Sequence, residues 1–177
     1  MTKRRPFVTY KAAMTLDGRL TLPGARWISG EESRRLVHEL RAASDAVAVG
    51  MGNGAGRPSS TDGPRRRAAR QPRRLVFGSG PLPEGVDLEL LSGPLEEELG
   101  RLAEEGVQSL LLEGGPTLAT AFIDAGLIDK LFVFVAPKLA GSGPTLLREL
   151  DEQVELRRFD TRRVGQDILL TAYVNEP

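Results

Sequence analysis

The chain has 177 residues, and its 24 Lys and Arg residues balance 24 Asp and Glu residues. This length predicts one domain, and the balanced charge gives no argument for nucleic acid or a membrane as the main partner. The lack of cysteine excludes disulfides, thiolate metal sites and a cysteine nucleophile, and a single histidine argues against a metal cluster or a Ser-His triad. No signal peptide or long apolar run is visible, so we expect a cytoplasmic protein.

The first part of the chain alternates strand and helix signals. Phe7–Met14 (FVTYKAAM) predicts a strand. Ser29, followed three residues later by Glu32, has the spacing of a capping box and predicts the start of a helix. The apolar stretch Ala46–Gly50 predicts a second strand. Residues 51–72 are rich in glycine, proline and arginine, which indicates a long surface loop.

The second part of the chain continues this alternation and ends in a hairpin. The predicted elements are strands at Arg74–Phe77, Asp87–Leu91, Val107–Leu112 and Leu131–Ala136, helices at Pro94–Glu105 and Leu118–Ala125, and an antiparallel pair at Val154–Val164 and Asp167–Val174. Such alternation predicts an α/β fold with a mostly parallel sheet. Ligands of these sheets bind beyond the carboxyl ends of the strands, where residues 50–56 and 113–117 are expected to lie.

The stretch LLLEGGPT (110–117) carries the strongest local signal for a site. Glu113 ends an apolar strand, and a carboxylate is costly to bury there without a partner. The glycines that follow allow two interpretations. They form either a tight strand-to-helix turn or a helix N-terminus that a pyrophosphate approaches closely. The dinucleotide pattern GxGxxG is not matched in full.

Three segments carry a wider resemblance. They are KAAMTLDGR (11–19), RWISGEESRRLVHELRAASDAVAVGMG (26–52) and LLEGGPTLATAFIDAGLIDKLFVFVAPKLAGSGP (111–144). In this order they resemble the reductase domain of riboflavin biosynthesis, a dihydrofolate-reductase-like family. The resemblance implies one three-layer domain over residues 1–177, with a mostly parallel central sheet, a C-terminal antiparallel hairpin and helices on both faces. It also implies a homodimer.

The same resemblance implies the activity and the site. The family reduces a ribosylaminopyrimidine 5′-phosphate with NADPH, converting its ribosyl group to ribityl, and needs no metal. The implied cofactor contacts are Ala13, Trp27, Gly50, Gly52, Asn53, Ser79, Gly114, Gly115, Pro116, Thr117 and Leu118. Arg41 and Arg65 would bind the substrate and its phosphate. Lys11 and Glu113 would act at the reaction centre, with Glu113 also contacting the substrate.

Departures from the family pattern cluster on the substrate side, and several of them lie in the variable loop 51–72. Arg57 and Pro58 stand where the family has two aspartates, Pro64 falls on its phosphate-binding arginine, Ala25 replaces a serine, and Gly78 replaces an aspartate. Arg65 or Arg66 could replace the lost arginine through a short shift. These changes predict either a related pyrimidine or pterin substrate, or a poor catalyst.

Several of these residues also have structural interpretations. Lys11 could be an edge-strand lysine, Trp27 a core residue and Arg41 a solvated helix charge, while His38 is expected to be structural or on the surface. The arginines of 65–74 could form a solvated loop, bind the 2′-phosphate of NADPH or form a nucleic-acid module, although few aromatic residues accompany them. A non-catalytic NADPH-binding protein is the remaining alternative.

Overall fold

The computed structural model describes residues 5–54, 71–82 and 84–175 of the protein. Its strands are β1 (Phe7–Thr15), β2 (Ala46–Gly50), β3 (Arg73–Phe77), β4 (Glu89–Leu91), β5 (Ser109–Leu112), β6 (Lys130–Ala136), β7 (Arg157–Val164) and β8 (Asp167–Tyr173). Its helices are α1 (Glu31–Ala43), α2 (Met51–Gly54), α3 (Leu95–Glu104) and α4 (Pro116–Asp124). Outside residues 51–72, each strand and helix expected from the sequence is present, with ends that differ by a few residues.

The strands of the described part of the chain form one eight-stranded sheet in the order β4-β3-β2-β5-β1-β6-β8-β7. Strands β1 to β6 pair in parallel, whereas β8 runs antiparallel to both β6 and β7. The predicted α/β fold with a C-terminal antiparallel hairpin is therefore confirmed. Because β1 lies between β5 and β6, Lys11 is on a central strand, and its interpretation as an edge-strand lysine is wrong.

Alternation along the strands separates two apolar cores, one on each face of the sheet. Val8 and Tyr10 of β1 point to the larger core, which also contains Leu99 of α3 and Phe122 of α4. On the opposite face, Val37 of α1 packs against residues of β6 and β8. Helices therefore cover both faces, which confirms the expected three-layer arrangement and leaves Lys11 on the α1 side.

The start of α1 corrects the capping box predicted from Ser29 and Glu32. Gly30 is the N-cap residue, and no side chain of the helix itself caps it. The cap comes instead from Asp167 of β8, whose Oδ2 accepts hydrogen bonds from the Gly30 N–H at 2.7 Å and from the Ser33 hydroxyl at 2.6 Å. Asp167 is buried, and its negative charge lies at the positive end of α1.

A second distant carboxylate fixes the first strand. Asp129 is fully buried and accepts hydrogen bonds from the Val8 N–H at 2.8 Å and from both terminal nitrogens of Arg5 at 2.7 and 2.9 Å.

No helix in the described ranges is long and apolar enough to cross a membrane. The predicted loop 51–72 begins with the short helix α2, and positions 55–70 lie outside the described residues.

Candidate active site

A cavity of about 310 Å³ opens where the carboxyl ends of β1 and β5 meet α1. Its lining residues are Tyr10, Lys11, Ala12, Ala13, Leu20, Arg26, Trp27, Ile28, Ser29, Arg34, Val37, His38, Arg41, Glu113, Gly114 and Gly115. The position agrees with the strand edge expected from the sequence. The charge of the lining is unbalanced, because Lys11 and three arginines face the single carboxylate of Glu113. The cavity therefore favours an anionic ligand.

Glu113 is the centre of an ion-pair group in this cavity. It follows the last residue of β5, and its N–H donates to the carbonyl of Ala48 at 2.8 Å, so the backbone is fixed against β2. Its carboxylate is only 8% exposed. Arg41 donates to it through Nε at 2.9 Å and Nη2 at 3.0 Å, and Lys11 Nζ lies 3.5 Å from Oε1. The buried carboxylate thus has the cationic partners that its position in the sequence required.

Lys11 has a perturbed acidity in this arrangement. Burial lowers the pKa of Lys11 from its ordinary value, and the positive charge of Arg41 lowers it further, whereas the Glu113 carboxylate opposes this decrease. A lysine with a lowered pKa is a stronger proton donor than one in water. Such shifts are typical of lysines that take part in proton transfer.

Trp27 forms one wall of the cavity together with two arginines. The residue is 46% exposed, so the interpretation as a core residue is wrong. The guanidinium carbons of Arg26 and Arg34 lie 5.0 Å and 5.4 Å from the ring centre, within the range of cation–π interactions. Arg34 Nη1 also donates to the carbonyl of Ser29 at 2.6 Å, which fixes the guanidinium beside the indole.

The glycine turn after Glu113 has a steric explanation. Gly114 is buried and does not adopt a positive φ, so the backbone conformation does not require glycine. A Cβ at this position would lie 2.9 Å from Cδ2 and 3.1 Å from Cβ of Leu118, so the first contact is closer than Cβ atoms approach and the second is tighter than most. A Cβ at Gly50 would lie 3.5 Å from the same leucine, an ordinary contact. Leu118 therefore packs over the ends of β2 and β5, and Gly114 makes room for it.

The N-terminus of α4 lies directly after this turn. Gly115 is the N-cap residue and Pro116 occupies the first turn, where its missing N–H costs no hydrogen bond. The first backbone hydrogen bond at this end of the helix runs from the Ala119 N–H to the Gly115 carbonyl at 3.0 Å. The N–H groups of Thr117 and Leu118, in the preceding turn, therefore lack helical acceptors, and Thr117 is exposed.

The structure brings together seven of the residues predicted for the site: Lys11, Ala13, Trp27, Arg41, Glu113, Gly114 and Gly115. Gly50, Gly52, Ser79, Pro116, Thr117 and Leu118 lie outside the cavity lining, with Gly50, Pro116, Thr117 and Leu118 along the strand ends beside it and Gly52 and Ser79 exposed. Asn53 lies in α2, but its side chain is not described, and Arg65 lies outside the described residues.

Arg26, Arg34 and His38 also line this cavity, a contribution that was not predicted from the sequence. Arg34, His38 and Arg41 are four and three residues apart, so they share one face of α1. This spacing was a visible signal. It became informative only when the structure showed that this face of α1 looks onto the strand ends.

One departure from the family pattern also has a structural basis. Gly78, in place of an aspartate, has a φ of +151°, which side-chain-bearing residues rarely adopt. A Cβ at this position would overlap the side chain of Met51 in α2. The conformation and the space both therefore exclude an aspartate here. Arg57, Pro58 and Pro64, the other replaced positions in the loop, lie outside the described residues.

The family model and the related proteins that this chain matches agree with one another. Residues 6–170 match the RibD C-terminal domain. A 2,5-diamino-6-ribosylamino-4(3H)-pyrimidinone 5′-phosphate reductase from Methanothermobacter thermautotrophicus is 32% identical over 94% of this chain and 97% of its own length. The chain spans about half the length of the RibD proteins that it matches, with 58% and 47% for two of them.

Solved structures show the same fold. Acinetobacter baumannii RibD superimposes with a TM-score of 0.83 at 25% identity, over 99% of this chain and 59% of that one. A dihydrofolate reductase from Enterococcus faecalis, solved in complex with NADP(H) and RAB-propyl, superimposes with a TM-score of 0.67 at 16% identity, over 96% of this chain and 97% of that one. The latter similarity confirms the dihydrofolate-reductase-like fold.

Proposed function

Because the chain belongs to the RibD C-terminal domain family, we propose that it is an NADPH-dependent reductase of a ribosylaminopyrimidine 5′-phosphate. The buried Lys11–Glu113–Arg41 group, at the carboxyl ends of the central strands, is the observation that carries this proposal. The related Methanothermobacter thermautotrophicus protein is a reductase of this substrate class, and this chain spans nearly its whole length.

The residues around the cavity fit NADPH. Ala13 and Val37 provide an apolar surface, Trp27 provides an aromatic one, and the unpaired N–H groups at the start of α4 suit a pyrophosphate. The excess of cationic side chains suits both phosphorylated ligands. When bound, NADPH supplies a hydride to C1′ of the substrate.

The protein residues then have to position the substrate and the cofactor and to supply a proton. Opening of the ribosyl ring gives a C1′=N imine, and its reduction to the ribityl amine adds one hydride at C1′ and one proton at nitrogen. The Lys11 ammonium, which burial makes more acidic, is the proposed proton donor. Glu113 orients this ammonium, and the fork of Arg41 holds the carboxylate in one orientation.

The consumption of NADPH with the ribosylaminopyrimidine 5′-phosphate tests the proposal. The expected result is turnover by the wild-type protein and, because positioned proton transfer contributes about 10²- to 10⁴-fold, a comparable decrease of kcat in Lys11→Ala and Glu113→Gln. Glu39→Gln is the matched control, since this glutamate lies exposed on α1 and outside the cavity lining.

The possible outcomes separate the competing functions. Wild-type protein that binds NADPH at tens of micromolar but consumes none with this substrate, a related pyrimidine or a pterin would be a non-catalytic cofactor-binding homologue. Absence of NADPH binding would rule out the reductase. Unchanged turnover in Lys11→Ala and Glu113→Gln would reject the proposed roles of these residues.

A nucleic-acid module has less support. Arg73, the first described arginine of the arginine-rich segment 65–74, pairs with Glu89 at 2.7 Å and with Glu105 at 2.6 Å. Its charge is therefore used within the protein. A homodimer, implied by the family resemblance, and a cytoplasmic location, expected from the sequence, remain proposals, and equilibrium sedimentation would test the dimer.

A further inference from the structure

We infer that Lys138 and Asp17 are positioning residues for the Trp27 wall of the cavity. Residues 16–29, the wall segment, connect β1 to α1 and carry Trp27. Residues 137–146, the support loop, begin the connection from β6 to β7, and hydrogen bonds attach the wall segment to them. The inference rests on the proposed function, because the same wall is assigned to NADPH there.

The wall segment has little structure of its own. All of its residues are described, and they form turns, bends and one isolated bridge, between Arg19 and Thr145, without a helix or a strand. Leu20 packs against the larger core, whereas residues 23–27 are exposed. A segment with so little buried apolar surface opens at a low cost in free energy unless other contacts fix it. The position of Trp27 therefore depends on hydrogen bonds to the support loop.

Lys138 contacts both ends of the wall segment. Its carbonyl accepts a hydrogen bond from the Leu16 N–H at 2.8 Å, and its Nζ donates to the Ile28 carbonyl at 2.8 Å. Ile28 is next to Trp27 in the chain, and both residues line the cavity. One residue of the support loop therefore fixes the two ends of the wall segment relative to each other.

Asp17 makes the second attachment, near the start of the wall segment. Its Oδ1 accepts hydrogen bonds from the Thr15 hydroxyl at 2.6 Å and from the Ala140 N–H at 3.0 Å, and its Oδ2 accepts one from the Gly141 N–H at 2.8 Å. Because both carboxylate oxygens are used, an asparagine cannot replace them, since its amide nitrogen would face an N–H donor.

The reaction centre is built on other elements. Lys11 lies on β1, Arg41 on α1 and Glu113 directly after β5, so none of the three belongs to the wall segment or the support loop. Loss of an attachment should lower the fraction of the protein in which Trp27 is placed for the cofactor, and the apparent affinity falls with that fraction. KM for NADPH should therefore rise, whereas kcat at saturating NADPH should stay close to the wild-type value.

The mobility of Trp27 can be measured directly, because it is the only tryptophan of the chain. The test is the time-resolved fluorescence anisotropy of the ligand-free full-length chain, together with NADPH affinity from isothermal titration calorimetry. In Lys138→Met and Asp17→Asn the amplitude of the fast anisotropy decay should increase, and NADPH should bind about three- to tenfold more weakly. Lys138→Arg retains a donor and should restore both quantities toward the wild-type values.

Asp151→Asn is the matched control. Asp151 is exposed in the same connection between β6 and β7. Its N–H donates to Asp124, but no residue in the described ranges donates a hydrogen bond to its carboxylate. Its replacement should leave the anisotropy decay unchanged and the NADPH affinity within about twofold of the wild-type value.

Two outcomes would overturn the inference. Unchanged anisotropy in Lys138→Met and Asp17→Asn would do so even if their urea midpoints fell, because the two residues would then serve stability alone. Increased mobility of Trp27 with unchanged NADPH affinity would also do so, since the position of the wall would not matter to the ligand. Failure of the proposed function is separate. The wild-type protein would then not bind or consume NADPH, while the anisotropy of the ligand-free variants would still decide whether the two attachments hold Trp27.

Discussion

Gly114→Ala isolates the steric role of the glycine turn. The new methyl carbon would lie 2.9, 3.1 and 3.3 Å from Cδ2, Cβ and Cγ of Leu118, whereas carbon atoms prefer separations of about 3.5–4.0 Å. Rotation of the leucine can move Cδ2, but Cβ is fixed to the backbone of α4. The N-terminus of the helix therefore has to shift by several tenths of an ångström, or the turn has to open.

The magnitude follows from a comparison with Gly50→Ala. Overpacking typically costs about 1–3 kcal/mol, and replacing glycine by alanine lowers the entropy of the unfolded chain, which returns about 0.4–1 kcal/mol. The second effect is common to both variants, because neither glycine has a positive φ. We therefore expect Gly114→Ala to be less stable than Gly50→Ala by about 1–3 kcal/mol.

Urea denaturation followed by circular dichroism measures this difference, with NADPH affinity determined on the same proteins. In a Leu118→Ala background the penalty of Gly114→Ala should become smaller but should not disappear, because Cδ2 and Cγ of Leu118 are gone whereas the Cβ at 3.1 Å remains. Equal stability of the Gly114→Ala and Gly50→Ala proteins would refute the steric argument. If stability were equal but NADPH binding were lost, the glycine would serve the approach of the ligand instead.

Three further predictions follow from charged groups of the structure. Asp167→Asn should lower the free energy of unfolding by about 2 kcal/mol, because a buried charge-assisted cap of α1 is weakened. It should also raise KM more than it lowers kcat. An unchanged urea midpoint would contradict the expected loss of stability. Hydrogen bonds from the Thr15 hydroxyl and then from the Ala140 and Gly141 N–H groups lower the pKa of Asp17 to about 2. Its stabilising contribution is therefore present above the ordinary aspartate pKa and is lost as the pH falls toward 2, so the melting temperatures of wild type and Asp17→Asn should differ at pH 6 and converge at low pH. If protonated Lys11 is the proton donor, kcat/KM should decrease at alkaline pH with a midpoint below the ordinary lysine value, because burial lowers its pKa, and Lys11→Arg should remove this limb of the profile.

The parts of the fold that depend on local pattern were predictable from sequence. Period-two and apolar runs indicated β1, β2 and β5, and the mostly parallel pairing of the strands followed from their alternation with helices. The cap of α1 was mispredicted because the Ser29–Glu32 spacing is a local signal, whereas the actual cap, Asp167, lies 137 positions from Gly30. A local sequence pattern cannot indicate which distant carboxylate will accept the hydrogen bond from the Gly30 N–H.

The candidate site also depends on contacts between residues that are far apart in the sequence. Glu113 was predicted from one physical conflict, a carboxylate at the end of an apolar strand, and the structure places it in the cavity. Its partner Arg41 is 72 positions away, so the pair could not be derived from spacing. His38, expected to be structural or on the surface, is exposed and also lines the cavity. Helical spacing shows which residues share a face but not what that face contacts. The sheet order supplies this information.

The cap on α1 also has a consequence for the order in which the protein can be completed during synthesis. The residues that line the cavity all lie between positions 10 and 115. The carboxylate that fixes the first turn of α1, and with it the wall that begins at Arg26, is at position 167. A nascent chain therefore contains the residues that line the cavity long before α1 is anchored by Asp167. We expect ligand affinity to arise only when β8 has left the ribosome and has paired with the sheet.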